Sequence, residues 1–142
     1  MHLAIDGYEG DSEKLWDVDL VRCFLNDYPS EIGMNKIIDP QVHIYRGEKQ
    51  EDWGVSGFVL IAESHISVHT FPLRGYVNID IFSCKAFDPT SSLARIKSTF
   101  SLPNVKVWTL ERGLEYSTVW EARAGMEEER VDLVSGTPGL DA

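Results

Sequence analysis

The feature that most limits what this chain can fold into is the run at 57–71, GFVLIAESHISVHTF. Its first part, FVLIA, is apolar on both faces, as in a well-covered central strand. From Glu63 onward it alternates. Glu63, His65, Ser67 and His69 take one face; Ser64, Ile66 and Val68 take the other. Residues 72–75, PLRG, are turn chemistry. Alternation then resumes over 76–84, with Val77, Ile79 and Ile81 on one face and Tyr76, Asn78, Asp80, Phe82 and Cys84 on the other. Two strands joined by a short connection predict a hairpin, hence a sheet with one apolar face that something must cover.

The rest of the chain supplies the cover. Residues 1–8, 41–45 and 104–110 read as further strands, and 116–120 as a possible continuation. Asp11 or Ser12 caps a helix expected over 13–27, whose Leu15, Val18, Val21 and Leu25 recur at helical spacing. Tyr28-Pro29-Ser30 is expected to end it, because a residue before proline leaves the helical region. Asp88-Pro89 starts a second helix that presents Leu93, Ile96 and Phe100. This order predicts an α+β fold, a mostly antiparallel sheet with helices packed on one face.

At 142 residues and 43% hydrophobic content there is enough apolar material for one core. The expected organisation is one domain over 1–120 followed by an acidic C-terminal extension over 121–142. A chain of this length buries only about two thirds of its unfolded surface, so an oligomer would cover more. The net charge of -10 opposes a phosphate backbone and disfavours nucleic-acid binding. With no long apolar run and no signal-like start, the expectation is a soluble cytoplasmic protein without membrane contact.

The chemistry concentrates in Glu63-Ser64-His65-Ile66-Ser67-Val68-His69. A serine with two nearby histidines has the parts for acyl transfer, yet no G-x-S-x-G elbow surrounds Ser64. His65 and His69 have a helical metal-ligand spacing, but on a strand four residues span roughly 13 Å. H-E-x-x-H is absent, and Cys23 and Cys84 are too few for a thiolate zinc site. No metal is expected. By pattern alone these residues also fit an ordinary wet sheet face, and Cys84 a small core hydrophobe.

Longer motifs separate those readings. HLAID at 2–6, GVSG at 54–57, IAESHISVHTFP at 61–72, GYVNIDIFSC at 75–84 and VKVWTLERG at 105–113 stand in the order seen in one family. Over about its first 120 residues the chain resembles the prokaryotic S-adenosylmethionine decarboxylases, small pyruvoyl enzymes of polyamine synthesis. The resemblance implies self-cleavage between Glu63 and Ser64, with Ser64 converted to the pyruvoyl group. It implies that His69 accepts a proton during processing and that Cys84 donates one during decarboxylation. Ser56 would support processing. Such a group condenses with the substrate amine and accepts the electrons released with carbon dioxide, replacing a separate cofactor. The hairpin is expected to bring His69 and Cys84 near Ser64. Family members form dimers of processed protomers, so a homo-oligomer is implied.

The chain also departs from the family. Leu73 stands where the family has a glutamate associated with ribose hydroxyls, and Phe71 replaces a tryptophan. Tyr45 or Trp53 is a candidate adenine platform, and Asp6 and Asp80 are candidate carboxylates for a cationic substrate. The substrate is an amine-bearing small molecule, S-adenosylmethionine by family. Arginine or ornithine on the same scaffold, or an unprocessed regulatory relative, remain open at this level.

Overall fold

The computed structural model describes residues 1–111. The expected strand at 116–120, the domain boundary near 120 and the acidic extension lie outside the described residues. Six strands form one sheet: β1 (His2–Tyr8), β2 (Gln41–Tyr45), β3 (Gly54–Ile61), β4 (Ser64–Phe71), β5 (Tyr76–Ser83) and β6 (Asn104–Leu110). The spatial order is β2-β3-β4-β5-β1-β6, and all five pairings are antiparallel. Three helices, α1 (Ser12–Trp16), α2 (Val18–Glu31) and α3 (Pro89–Phe100), pack on one face, as expected for the α+β class.

The run at 57–71 is not one strand. It folds back on itself at Ala62-Glu63, so that β3 and β4 are a hairpin with Ile61 opposite Ser64. The turn is held from outside the hairpin. Asn35 accepts from the Ala62 N–H at 2.8 Å and donates its own N–H to the Glu63 carboxylate at 3.1 Å. Periodicity alone missed this turn because Ala-Glu carries none of the usual turn residues. The β4–β5 hairpin does appear, closed by a 3₁₀ turn at Pro72–Arg74 and by Gly75 at φ 57°, a left-handed conformation that suits glycine.

The expected first helix is also two. Asp17 is extended, and its carboxylate accepts from Asp19 N–H and Leu20 N–H at 2.9 Å each. It therefore closes α1 and caps α2. At the other end α2 runs through Pro29 to Glu31. The local bias of the residue before proline is overridden because Tyr28 and Pro29 are both buried. Beyond the helix end, the Pro29 carbonyl still finds a donor in Met34 N–H at 2.8 Å.

The core lies between the helices and the inner sheet face. Leu3, Ile5, Val59, Ile66, Val68, Val77, Ile79 and Ile81 meet Leu15, Val21, Phe24, Leu25, Ile96 and Phe100, all at most 2% exposed. Phe24 stacks on Tyr28 and meets Phe100 edge-on. The opposite sheet face has no described helix on it. It carries His2, Asp6, Ser56, Phe58, Leu60, His65, Ser67, His69, Asn78, Asp80 and Trp108, because cross-strand partners share a face. No helix among the described residues is long and apolar enough to cross a membrane.

Candidate active site

The open face of β4 and β5 holds most of the chemistry, sorted toward two ends. At the first end stands the Glu63–Ser64 bond. Ser64 has φ 152°. That region is nearly reserved for glycine and costs a serine about 1–3 kcal/mol. The Glu63 carbonyl oxygen accepts the Cys84 backbone N–H at 3.0 Å, so the carbonyl preceding Ser64 is already polarised. The Ser64 hydroxyl lies 3.2 Å from His65 Nδ1. Cys84 is exposed rather than core and stands one residue past β5 with a free thiol, its backbone against the Glu63 carbonyl.

A second layer supports this end. The Phe82 ring lies between His2 and His65, with ring centroids 5.5 and 5.7 Å away. His2 Nε2 sits 2.8 Å from Asp80 Oδ1. Asp80, singled out as a carboxylate for substrate, is thus engaged with a histidine of β1.

The other end belongs to His69 and Ser56, cross-strand partners with His69 Nδ1 3.0 Å from the Ser56 hydroxyl. Next to His69 on β5 is Asn78, whose amide donates to Asp6 Oδ1 and to the Tyr76 hydroxyl, at 2.7 Å each. Burial pushes the Tyr76 phenol above its ordinary range, which keeps it protonated. The Phe71, Tyr76 and Tyr8 rings run across β4, β5 and β1 with centroids 5.6 and 5.2 Å apart. They form an aromatic strip beside the Asp6 carboxylate.

His69 and Ser64 are not brought together. They stand five positions apart, about 17 Å along β4, well beyond the reach of an imidazole. The expectation that the hairpin unites Ser64, His69 and Cys84 therefore holds for Cys84 and fails for His69. The cause is the turn at Ala62-Glu63, which sets Ser64 at the extreme start of the strand.

The remaining candidates form a rim at the far end. Tyr45 and Leu73 are 56% and 59% exposed. The Trp53 indole donates to the Gly47 carbonyl at 2.8 Å, and the Arg46 guanidinium lies 5.9 Å from its ring centre. Arg74 ties the charged loop to the 3₁₀ turn that carries Leu73, through Asp52 at 2.7 Å and the Glu51 carbonyl at 3.0 Å. Sequence reasoning missed Asn78, Tyr76, Tyr8 and His2 as neighbours of the candidates. Their one signal was the alternation that put β1 and β5 polar groups on the open face. Among the described residues no group of three His, Cys, Asp or Glu converges to hold a metal ion.

Comparison with known proteins finds relatives of one family. A family model described as S-adenosylmethionine decarboxylase matches residues 1–113. An S-adenosylmethionine decarboxylase proenzyme of Thermotoga petrophila is 34% identical over 113 residues, covering 79% of this chain and 82% of its own. One of Geobacillus kaustophilus is 31% identical over 123 residues, covering 87% and 94%. The crystal structure of the adenosylmethionine decarboxylase of Aquifex aeolicus superposes with a TM-score of 0.65 at 28% identity, over 82% of this chain and 92% of that one.

Proposed function

The chain belongs to the S-adenosylmethionine decarboxylase family, and from that premise we propose that it matures by cleaving its own Glu63–Ser64 bond and that its working site is shared between two copies. Its activity is pyruvoyl-dependent decarboxylation of S-adenosylmethionine in polyamine biosynthesis. The family match supports S-adenosylmethionine, rather than arginine or ornithine, as the substrate.

The observation that carries the maturation reading is the geometry around one bond. A nucleophilic hydroxyl, a polarised carbonyl and an unfavourable backbone angle coincide at Ser64. Attack of the hydroxyl on the Glu63 carbonyl carbon converts the amide to an ester and frees Ser64 from its φ of 152°. Elimination of that ester releases 1–63 as a carboxylate and leaves a dehydroalanine at the head of 64–142, which tautomerises to an imine and takes up water, losing ammonia, to give the pyruvoyl group. These residues fit that group, since the same serine supplies its carbons and the backbone of Cys84, a free cysteine, meets the adjoining Glu63 carbonyl. The group supplies an electron sink for the pair released with carbon dioxide. Cys84 would then deliver a proton to the substrate carbon, as a positioned acid.

His69 and Ser56 lie too far from Ser64 to serve it within one chain. A second copy, packed open face to open face, brings its His69–Ser56 pair to the first copy's Ser64. The exposed Phe58, Leu60 and Trp108 on that face supply apolar surface for such a contact. Asp6 and the aromatic strip of Phe71, Tyr76 and Tyr8 offer a carboxylate and ring faces to a cationic, adenine-bearing substrate. Tyr45 on β2, Trp53 just before β3 and Leu73 on the turn after β4 lie at the same end of the sheet.

The test is complementation. Ser64→Ala and His69→Ala chains should each stay uncleaved alone. Co-expressed, they should yield fragments from the His69→Ala chain, because a mixed dimer pairs its Ser64 with an intact His69. Mass spectrometry that finds no fragments from the mixture, while wild type cleaves, defeats the shared site. A wild-type chain that stays at 142 residues defeats the maturation reading itself.

A further inference from the structure

The Ser64 hydroxyl has one titratable side chain hydrogen-bonded to it among the described residues, His65. We propose that His65 is the proton acceptor that activates Ser64 for attack on its own preceding carbonyl, which makes it a catalytic residue of self-cleavage. The inference rests on Glu63–Ser64 being the self-cleaved bond.

Three observations carry it. First, the Ser64 hydroxyl is 3.2 Å from His65 Nδ1, within the reach expected of a nucleophile and its base. Second, this contact is unusual for neighbours on a strand, which point to opposite faces. The φ of 152° takes Ser64 out of that alternation and leaves its hydroxyl against the next residue's ring. The strained angle thus serves the pairing as well as weakening the bond. Third, the ring is held in place. His65 lies opposite Leu60 on one side and Phe82 on the other, with Phe82 edge-on to it and backed by His2.

The step balances without any outside reagent. With its proton on Nε2, His65 uses the Nδ1 lone pair to take the hydroxyl proton. The serine oxygen bonds to the Glu63 carbonyl carbon, and the displaced π pair goes to the carbonyl oxygen, where the Cys84 N–H already donates. As that pair returns, the C–N bond breaks. The departing nitrogen takes the proton back from His65 and becomes the free amine of Ser64. An ester has replaced an amide, and His65 is restored. Elimination of the ester needs a different proton, the one on the Ser64 α-carbon, and that later duty is left to His69.

The experiment follows cleavage of freshly made full-length chain by denaturing electrophoresis and intact mass, for wild type, Ser64→Ala and His65→Ala. Loss of a positioned base predicts cleavage slowed on the order of 10²–10⁴-fold in His65→Ala. Added imidazole should restore at least part of the rate. Hydroxylamine, which cuts esters but not amides, should release no fragments from the stalled chain, because the block precedes the ester. His65→Ala should unfold thermally as the uncleaved Ser64→Ala control does. If it has lost that transition, His65→Gln, closer in size against Phe82, replaces it, and a slow or near-wild-type rate decides.

Cleavage of the variant at a rate within a few-fold of wild type overturns the proposal. Fragments released by hydroxylamine overturn it too, since the ester would have formed without His65. So does a folded, slow His65→Ala chain that ignores imidazole, which would leave His65 a packing group. A wild-type chain that does not cleave overturns the maturation reading and this proposal together, whereas a cleaving wild type with a cleaving variant overturns this proposal alone.

Discussion

Strand β4 shows the molecule's division of labour in one segment. Its inner residues, Ile66, Val68 and Thr70, are at most 2% exposed and belong to the core. Its outer residues, His65, Ser67 and His69, are partly or fully open and carry hydroxyl and imidazole chemistry. A strand's period of two lets the same backbone serve both. A polar group buried on the inner face is costly without a partner, and Thr70 has its partners. Its hydroxyl donates to the Leu15 carbonyl and accepts the Val55 N–H, at 2.8 Å each. The outer face keeps polar groups close together without such closure, as at Ser64 and His65 or Ser56 and His69. Rigidity on one side makes precise placement on the other possible.

Three changes break or sharpen this contrast, beginning with the largest. Cys84→Ala removes an outer-face acid and nothing from the core. It should still yield cleaved chains but lower carbon dioxide release about 10²–10⁴-fold, as loss of a positioned acid does. Normal turnover in a cleaved Cys84→Ala enzyme takes the thiol off the pathway.

Thr70→Val works from the inner face. It keeps the shape but leaves a buried N–H and a buried carbonyl short of one partner, which should cost about 1–3 kcal/mol. The denaturant midpoint should fall at unchanged slope, while the rate of chain cleavage stays near wild type. A large cleavage defect at unchanged midpoint would mean that the two faces are not separable in this way.

Leu73→Glu is expected to do least. Leu73 is exposed on the 3₁₀ turn beyond β4, and the change adds an acceptor without disturbing packing. One added hydrogen bond of ~0.5–1.5 kcal/mol lowers KM for S-adenosylmethionine by up to about tenfold, with kcat little changed. No change in KM would show that the ribose hydroxyls are held elsewhere.

Much of this was legible in the residues. The alternation of 76–84 gave β5 and its two faces. Asp88-Pro89 marked the start of α3, and Leu93, Ile96 and Phe100 its covered side. The motif around Ser64 and Cys84 singled out the end of β4 where a strained serine follows a polarised carbonyl. Other features were not legible because they rest on groups far away in sequence. The turn at Ala62-Glu63 has no turn residue of its own and is held by Asn35. The passage of α2 through Pro29 depends on the core that receives Tyr28 and Pro29.

The sequence by itself determined which residues face the core and which face outward, since that follows from periods of 2 and 3.6 in the chain. It also determined the chemical types available to the site. Only the tertiary structure decided how those types are grouped. A one-residue slip in a strand's pairing register moves every side chain to the opposite face, and a turn's position sets which residues lie near one another. That is why Cys84 lies against the Glu63 carbonyl while His69, only five positions from Ser64, lies with Ser56 instead.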